Sequence, residues 1–256
     1  MGIQIIPKAQ QAYGAFNGGE IIENKPIGFP QDGGDVRPYS SLFYWAFAEA
    51  KQDSTIGLHP HKGFEIMSFV LKGHIRHFDT KLKEWRVLHA GDAQIIRSGS
   101  GISHAEFMAK DAVMFQIWMD PNLNATLNHE ASYDDYTSDQ LPLEEKEGYQ
   151  VKTYIGQNSP FELVTEDVGI QEFRFQGKPV ELTANAGKIY SIYVLKGKLT
   201  LNEQALQADD FVIASDVNAF TVAGEGTLFI IESPKEPSYL TYSKMMEQRF
   251  ARWLIF

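Results

Sequence analysis

Four side chains that suit metal binding fall in two short pairs in this chain. His59 and His61 are two residues apart in "LHPHKGFE", and His104 and Glu106 are two apart in "SGSGISHAEFM". The whole chain has 256 residues and seven histidines. Imidazole nitrogens and carboxylate oxygens are ligands that divalent first-row metals accept. The two pairs therefore predict one site with three nitrogen ligands and one oxygen ligand, if they meet around a single ion.

Both pairs need β-strands to position them. Side chains two apart on a strand point to the same face, so each pair can aim both of its groups at one point. Pro60 has no N–H and suits an edge strand, while Gly99 and Gly101 predict a tight turn before the second strand. A lone histidine is usually an ordinary core or surface residue, but two such pairs within 48 residues favour a metal site on facing strands.

The rest of the chain is also typical of strands. Short runs rich in Val, Ile, Phe and Tyr recur between Gly, Asp and Asn, whereas helical periodicity is scarce before about residue 240. "IMSFVLKG" ends at residue 73 and "YSIYVLKG" at residue 197, and each is followed by an acidic turn and a closing strand. This repeat predicts two copies of one β module. We expect a first barrel over residues 1–120, an acidic interdomain linker over 121–149, and a second barrel with a C-terminal helix over 150–256.

Composition excludes several classes of function. The chain has no cysteine, so disulfides, thiolate metal sites and cysteine nucleophiles are absent. A net charge of −10 argues against direct nucleic-acid binding. The first ten residues lack a signal-peptide pattern, and the run "LFYWAFA" is too short to cross a membrane. We therefore expect a cytoplasmic protein without a membrane segment.

The two motifs resemble the signatures of a known family. "HPHKGFEIMSFVLKGHIRHFDT" and "AGDAQIIRSGSGISHAEF" are similar to those of the pirin family in the cupin superfamily. The resemblance is strong over residues 57–107, looser over 108–232, and absent at the C-terminal helix. It implies an all-β fold of two tandem cupin barrels (double-stranded β-helix, or jelly-roll) followed by that helix. It also implies one metal ion in the first barrel, held by His59, His61, His104 and Glu106.

A second carboxylate competes for the site. Many cupins use an acidic residue shortly after the histidine pair, which here is Glu65. Strict alternation would place Glu65 on the face of His59 and His61, although Gly63 could bulge the strand. Because the resemblance favours the later carboxylate, we assign Glu106 to the metal and Glu65 to a second-shell or substrate-facing position.

Three further regions lead to expectations of their own. His74 and His77 lie three apart in "GHIRHFDT", which we interpret as a solvated hairpin. The second module carries no strong ligand at the aligned positions and is expected to bind no metal. Those positions are Thr183, Asn185, Ile189, Asn218 and Phe220. A stripe of Tyr242, Met245, Met246, Phe250, Trp253 and Leu254 predicts a helix that docks on its own barrel or, alternatively, on a second copy.

The resemblance also suggests a function. It implies a metal-dependent dioxygenase of the quercetin 2,3-dioxygenase type, which binds a small aromatic or enolic substrate and O2, with Glu106 as general base. The implied metal is Fe(II), while Mn, Co, Ni, Cu and Zn would suit the same ligands. The alternative is a non-enzymatic, redox-sensing iron protein that acts through a protein partner. No organic cofactor is expected, since the chain has no dinucleotide fingerprint or phosphate loop.

Overall fold

The computed structural model describes the backbone of residues 2–253 and the side chains of residues 2–249. Strands dominate it. The strands are β1 (Ile3–Ile6), β2 (Ala12–Phe16), β3 (Ile21–Ile27), β4 (Leu42–Ala50), β5 (Ser54–His61), β6 (Glu65–Lys72), β7 (His74–Asp79), β8 (Trp85–His89), β9 (Ala93–Arg97), β10 (Ile102–Met108), β11 (Val113–Met119), β12 (Ser132–Tyr136), β13 (Leu143–Lys146), β14 (Tyr149–Ile155), β15 (Gly169–Thr183), β16 (Lys188–Leu201), β17 (Gln204–Leu206), β18 (Phe211–Ser215) and β19 (Ala219–Pro234). The helices are α1 (Leu123–Thr126) and α2 (Tyr242–Trp253), with single 3₁₀ turns at Lys8–Gln10, Asn17–Gly19 and Ser138–Gln140.

The chain forms two compact units. The first comprises Gln11–Ser138 and the segment that begins at Pro237, and the second comprises Asp139–Glu236 with the N-terminal strand β1. This architecture confirms the predicted class of two tandem cupin barrels with a C-terminal helix. No helix among the described residues has the length and apolar composition needed to span a membrane.

Two sheets build the first unit. Their strand orders are β12-β9-β6-β11-β4-β3-β2 and β5-β10-β7-β8. The inner faces share one apolar cluster, in which Val70 and Met114 of the larger sheet pack with Ile75, Leu88 and Met108 of the smaller one. This packing fixes the smaller sheet, which carries both histidine motifs, against the larger one.

One core residue allows a direct stability test. Ile75 is fully buried on β7 between the two sheets. We expect Ile75→Ala to lower the free energy of unfolding by about 2–5 kcal/mol, through lost burial and the cavity left behind. Val87→Ala on the neighbouring strand removes an exposed side chain, and should cost about 0.5 kcal/mol or less. Urea unfolding curves would compare them, and equal losses would contradict the assigned core.

The second unit is one sheet of order β1-β18-β16-β19-β15-β14-β13, with β17 paired to β16. Its interior is filled by apolar side chains. Phe220, one of the aligned positions named above, is buried there, with its ring centroid 5.0 Å from that of Tyr190. That this unit binds no metal remains a prediction.

The compact units differ in extent from the domains expected from the sequence. Within residues 121–149, β12 pairs with β9 of the first unit and β13 pairs with β14 of the second. The C-terminal segment groups with the first unit, where the ring of Tyr242 contacts Phe43 and Phe64 at 5.9 and 5.7 Å between centroids. Leu254 and the side chains of Phe250 and Trp253, named in the predicted helix stripe, lie outside the described part of the chain.

Candidate metal centre

Three of the four predicted ligands converge on one point. His59 and His61 lie on β5 and His104 on β10, and these strands are antiparallel neighbours in which His104 faces His59. The Nε2 atom of His104 lies 3.0 Å from Nε2 of His59 and 2.9 Å from Nε2 of His61. The motifs therefore meet across one hydrogen-bonded strand pair, rather than between facing sheets.

The protonation pattern of this cluster fits a cation. Nδ1 of His59 lies 2.7 Å from the carbonyl oxygen of Gly57, which can only accept a hydrogen bond. The proton of a neutral His59 is therefore on Nδ1, and its Nε2 presents a lone pair to the cluster. Ligands at right angles on an octahedral ion, each about 2.1 Å from it, lie about 3 Å apart. The two distances from Nε2 of His104 match that geometry, and all three ligand nitrogens lie within 4.8 Å of one another, so the three rings can hold a divalent metal ion.

The surroundings favour the neutral imidazoles that a metal requires. Burial, together with the nearby His59 and His77, lowers the pKa of His104 to about 2. Burial and the neighbouring His104 and His59 lower the pKa of His61 to about 3. Both rings are therefore unprotonated at neutral pH and need not lose a proton to bind a metal.

These pKa values predict acid sensitivity of the metal-free protein. An unfolded histidine titrates near pH 6.5, so below that pH the unfolded chain binds more protons than the folded one. Stability should therefore fall as the pH drops from about 6.5 towards 3. In EDTA-treated protein, His61→Gln should make the fall in the urea midpoint shallower over this range. Identical slopes in the two proteins would contradict the assignment.

Glu106 lies beside the three histidines. Its carboxylate is buried and accepts hydrogen bonds from Ser68 Oγ at 3.2 Å and Gln116 Nε2 at 2.6 Å. Its Oε2 lies 4.0 Å from Nε2 of His104, farther than the histidine nitrogens lie from one another. The group with metal-binding geometry among the described residues contains only the three histidines. Coordination by Glu106 therefore remains a prediction.

Comparison with known proteins agrees with this site. Residues 35–119 match the family model of pirin, and this range contains all three histidines and Glu106. This segment is a pirin domain.

One curated relative carries an enzyme name. A protein of Zymomonas mobilis named putative quercetin 2,3-dioxygenase is 38% identical over 86 residues, which are 33% of this chain and 36% of the relative. The chain thus matches about a third of the length of this curated relative.

Solved structures share the fold over nearly the whole chain. A quercetin 2,3-dioxygenase from Acinetobacter baumannii has a TM-score of 0.77 at 18% identity, covering 99% of this chain and 88% of its own. The bacterial pirin YhhW from Escherichia coli, in complex with nickel(II), has a TM-score of 0.75 at 19% identity, covering 91% and 99%.

Glu65 is not part of the group of three histidines in the described part of the chain. Its expected second-shell or substrate-facing position remains a prediction. Strand β5 ends at His61 and a new strand begins at Glu65, with Gly63 between them at a φ of +87°. Alternation therefore does not continue from His61 to Glu65. The Glu65 carboxylate is buried, and its Oε1 lies 3.9 Å from Nε of Arg97.

The interpretation of His77 as part of a solvated hairpin is wrong. His77 is fully buried, and its Nε2 lies 2.8 Å from Oδ2 of the equally buried Asp79. Its ring stacks on Tyr133 at 4.4 Å and lies 5.6 Å from the ring of His104. Burial would raise the pKa of Asp79, but hydrogen bonds from His77 and from the backbone of Leu82 and Lys81 lower it overall. The spacing of His77 and Asp79, two apart on one strand, was the signal that could have found this pair.

An aromatic wall borders the centre. Trp118 meets the ring of His61 edge to face, with centroids 4.8 Å apart. The sequence motifs did not single out Trp118. The wall comprises Trp118, Phe29, Phe43, Tyr44, Phe64 and Tyr242, whose rings lie 4.5–6.4 Å from their neighbours. Apolar aromatic side chains therefore pack beside the three histidines.

Proposed function

We propose that this chain is a metal-dependent dioxygenase of the quercetin 2,3-dioxygenase type. Its substrate would be a flavonol-like enol, and O2 would be the second substrate. The observation that carries the proposal is the convergence of three imidazole nitrogens, from His59, His61 and His104, beside a buried carboxylate.

In this proposal His59, His61, His104 and Glu106 would hold the metal. The metal is Fe(II), although the donor set would also accept Mn, Co, Ni, Cu or Zn. When bound, a divalent ion supplies Lewis acidity that favours the ionised form of an enol hydroxyl and provides open positions for small ligands. His59 keeps its lone pair directed at this position through the contact of its Nδ1 with Gly57.

Glu106 is the proposed general base. Its Oε2 would take the proton of the enol hydroxyl as the substrate binds. Ser68 and Gln116 donate to its two oxygens, which orients the carboxylate while leaving lone pairs for that proton. Because Glu106 and His104 are almost completely buried, bulk water has little access to compete for the base.

The aromatic wall supports an aromatic substrate. Trp118 lies next to His61 and packs against Phe43 and Phe64. A planar ring system bound through one oxygen near the histidines could stack against this wall. The names of the Zymomonas and Acinetobacter proteins support the same substrate class, which for this chain remains part of the proposal.

An oxygen-dependence assay tests the function. Protein loaded with Fe(II) would be incubated with quercetin under air and under argon, and the flavonol absorbance and released carbon monoxide would be followed. We expect loss of flavonol and release of carbon monoxide only under air. Equal concentrations of free Fe(II) and of metal-treated His104→Ala protein serve as controls, because iron alone can oxidise flavonols. No oxygen-dependent loss above these controls would end the proposal.

The regulatory alternative, a redox-sensing iron protein with a protein partner, remains a prediction. No contact among the described residues favours it over catalysis.

A further inference from the structure

We propose that Gln116, anchored by Trp118, is the positioning residue that holds the Glu106 carboxylate beside the three histidines. This inference rests on the proposed coordination of the metal by Glu106. It concerns side chains of β11, which lies in the larger sheet, opposite the strand that carries Glu106.

The orientation of the Gln116 amide is fixed by its neighbour. Nε1 of Trp118 lies 3.3 Å from Oε1 of Gln116, and an indole nitrogen can only donate. The amide oxygen of Gln116 must therefore face Trp118. Its Nε2 then faces Glu106, where it donates to Oε2 over 2.6 Å. Trp118 thus decides which end of the amide meets the carboxylate.

A second series of hydrogen bonds reaches the other carboxylate oxygen. Tyr133 donates its hydroxyl to Oε1 of Gln94 over 3.1 Å, and Nε2 of Gln94 donates to Ser68 Oγ over 3.0 Å. Ser68 Oγ accepts that bond, so its own proton is available for Oε1 of Glu106 at 3.2 Å. Each oxygen of Glu106 therefore receives one donor whose direction is set by another side chain.

Strand register places the two donors side by side. Gln116 on β11 is directly opposite Ser68 on β6, and Ser68 is opposite Gln94 on β9. The three polar side chains form a row across the larger sheet, with Glu106 above it on the smaller sheet. Two fixed donors restrict the rotation of the carboxylate, whereas a carboxylate with one donor could turn away from the histidines. The Gln116 bond is the shorter one, so its loss should matter more.

Nickel binding offers a test that does not depend on turnover. Gln116→Met keeps similar length and volume but removes the amide donor. We expect the affinity for Ni(II), measured by competition with a chelator, to fall by about tenfold or more, as is typical when a hydrogen-bond partner of a metal ligand is lost. The Co(II)-loaded variant should also show an altered visible spectrum, because the carboxylate no longer keeps its place.

Gln171→Met is the matched control. Gln171 lies on β15 in the other compact unit and donates to Thr153. The Gln171→Met variant should therefore have the same Ni(II) affinity as the wild type. Thermal unfolding of the metal-free variants checks that both are folded.

Two further variants separate positioning from packing. Trp118→Phe keeps a ring next to His61 but removes the indole donor, so it should weaken Ni(II) binding less than Gln116→Met does, yet measurably. In a Glu106→Ala background, Gln116→Met should have no further effect on affinity, because its influence passes through the carboxylate.

The outcomes are distinct. Ni(II) affinity of folded Gln116→Met within twofold of wild type, with an unchanged Co(II) spectrum, would overturn the inference. An equal loss of affinity with and without Glu106 would overturn it too, since Gln116 would then act by another route. Altered metal binding without any quercetin turnover in the wild type would leave the inference standing and remove only the proposed reaction.

Discussion

His104→Ala is expected to abolish stoichiometric metal binding. Nε2 of His104 lies 3.0 Å from Nε2 of His59 and 2.9 Å from Nε2 of His61, so it is the member that joins the other two. Loss of a hydrogen-bond partner of a ligand already costs about 10–100-fold in affinity. Removal of a ligand itself should therefore weaken Ni(II) binding by more than about 100-fold. Elemental analysis and calorimetric titration with Ni(II) would measure this change.

His74→Ala provides the matched control. His74 is a partly exposed histidine on β7, outside the converging group. The His74→Ala variant should bind one equivalent of Ni(II) as tightly as the wild type does. If His104→Ala retained a full equivalent at wild-type affinity, the three histidines would not be the metal site.

Glu106→Gln should produce the largest loss of turnover among folded, metal-loaded variants. The amide has nearly the same shape but cannot accept the proton of an enol hydroxyl. General-base catalysis typically contributes about 10²–10⁴-fold, and the proposed turnover of quercetin should fall by that factor. Steady-state and single-turnover rates, each normalised to bound metal, would separate loss of the base from loss of the ion.

Glu65→Gln is the informative comparison, because Glu65 is the other buried carboxylate near the motif. It contacts Arg97 and is not part of the histidine group. We expect its turnover to stay within about threefold of the wild type, since surrounding geometry rather than proximity in sequence selects the base. Wild-type turnover in Glu106→Gln, or a larger loss in Glu65→Gln, would reverse the two assignments.

Much of this arrangement could be predicted from sequence, because it depends on local periodicity. His59 and His61 lie on the same face of their strand, as the two-residue spacing requires. The strand-rich sequence with its internal repeat predicts the fold class that the structure confirms. The pairing of His104 with His59 could not be predicted from local periodicity. It depends on the register between β5 and β10, and spacing alone could only suggest that the two motifs meet.

A local pattern stops being informative at the end of its own element. Alternation does not continue from His61 to Glu65, because Lys62, Gly63 and Phe64 separate two strands. The burial of His77 could not be predicted from its spacing. It depends on contacts with Asp79 on its own strand and with Tyr133 of the other sheet.

The pairing of strands that are distant in sequence could not be predicted either. β1 pairs with β18, so that Ile3 lies opposite Ala214. β12, inside the segment expected to be a linker, pairs with β9. No local pattern in either segment names its partner, because the choice is made by which sheet edge is left open after the barrels form.

The position of the metal itself is the most direct test of this account. Crystals of the Ni(II)-loaded protein, recorded at the nickel absorption edge, would give an anomalous difference map. The account predicts one strong peak about 2.1 Å from Nε2 of His59, His61 and His104. A peak elsewhere in the chain, or no peak near these rings in a protein shown to hold one equivalent of nickel, would contradict it.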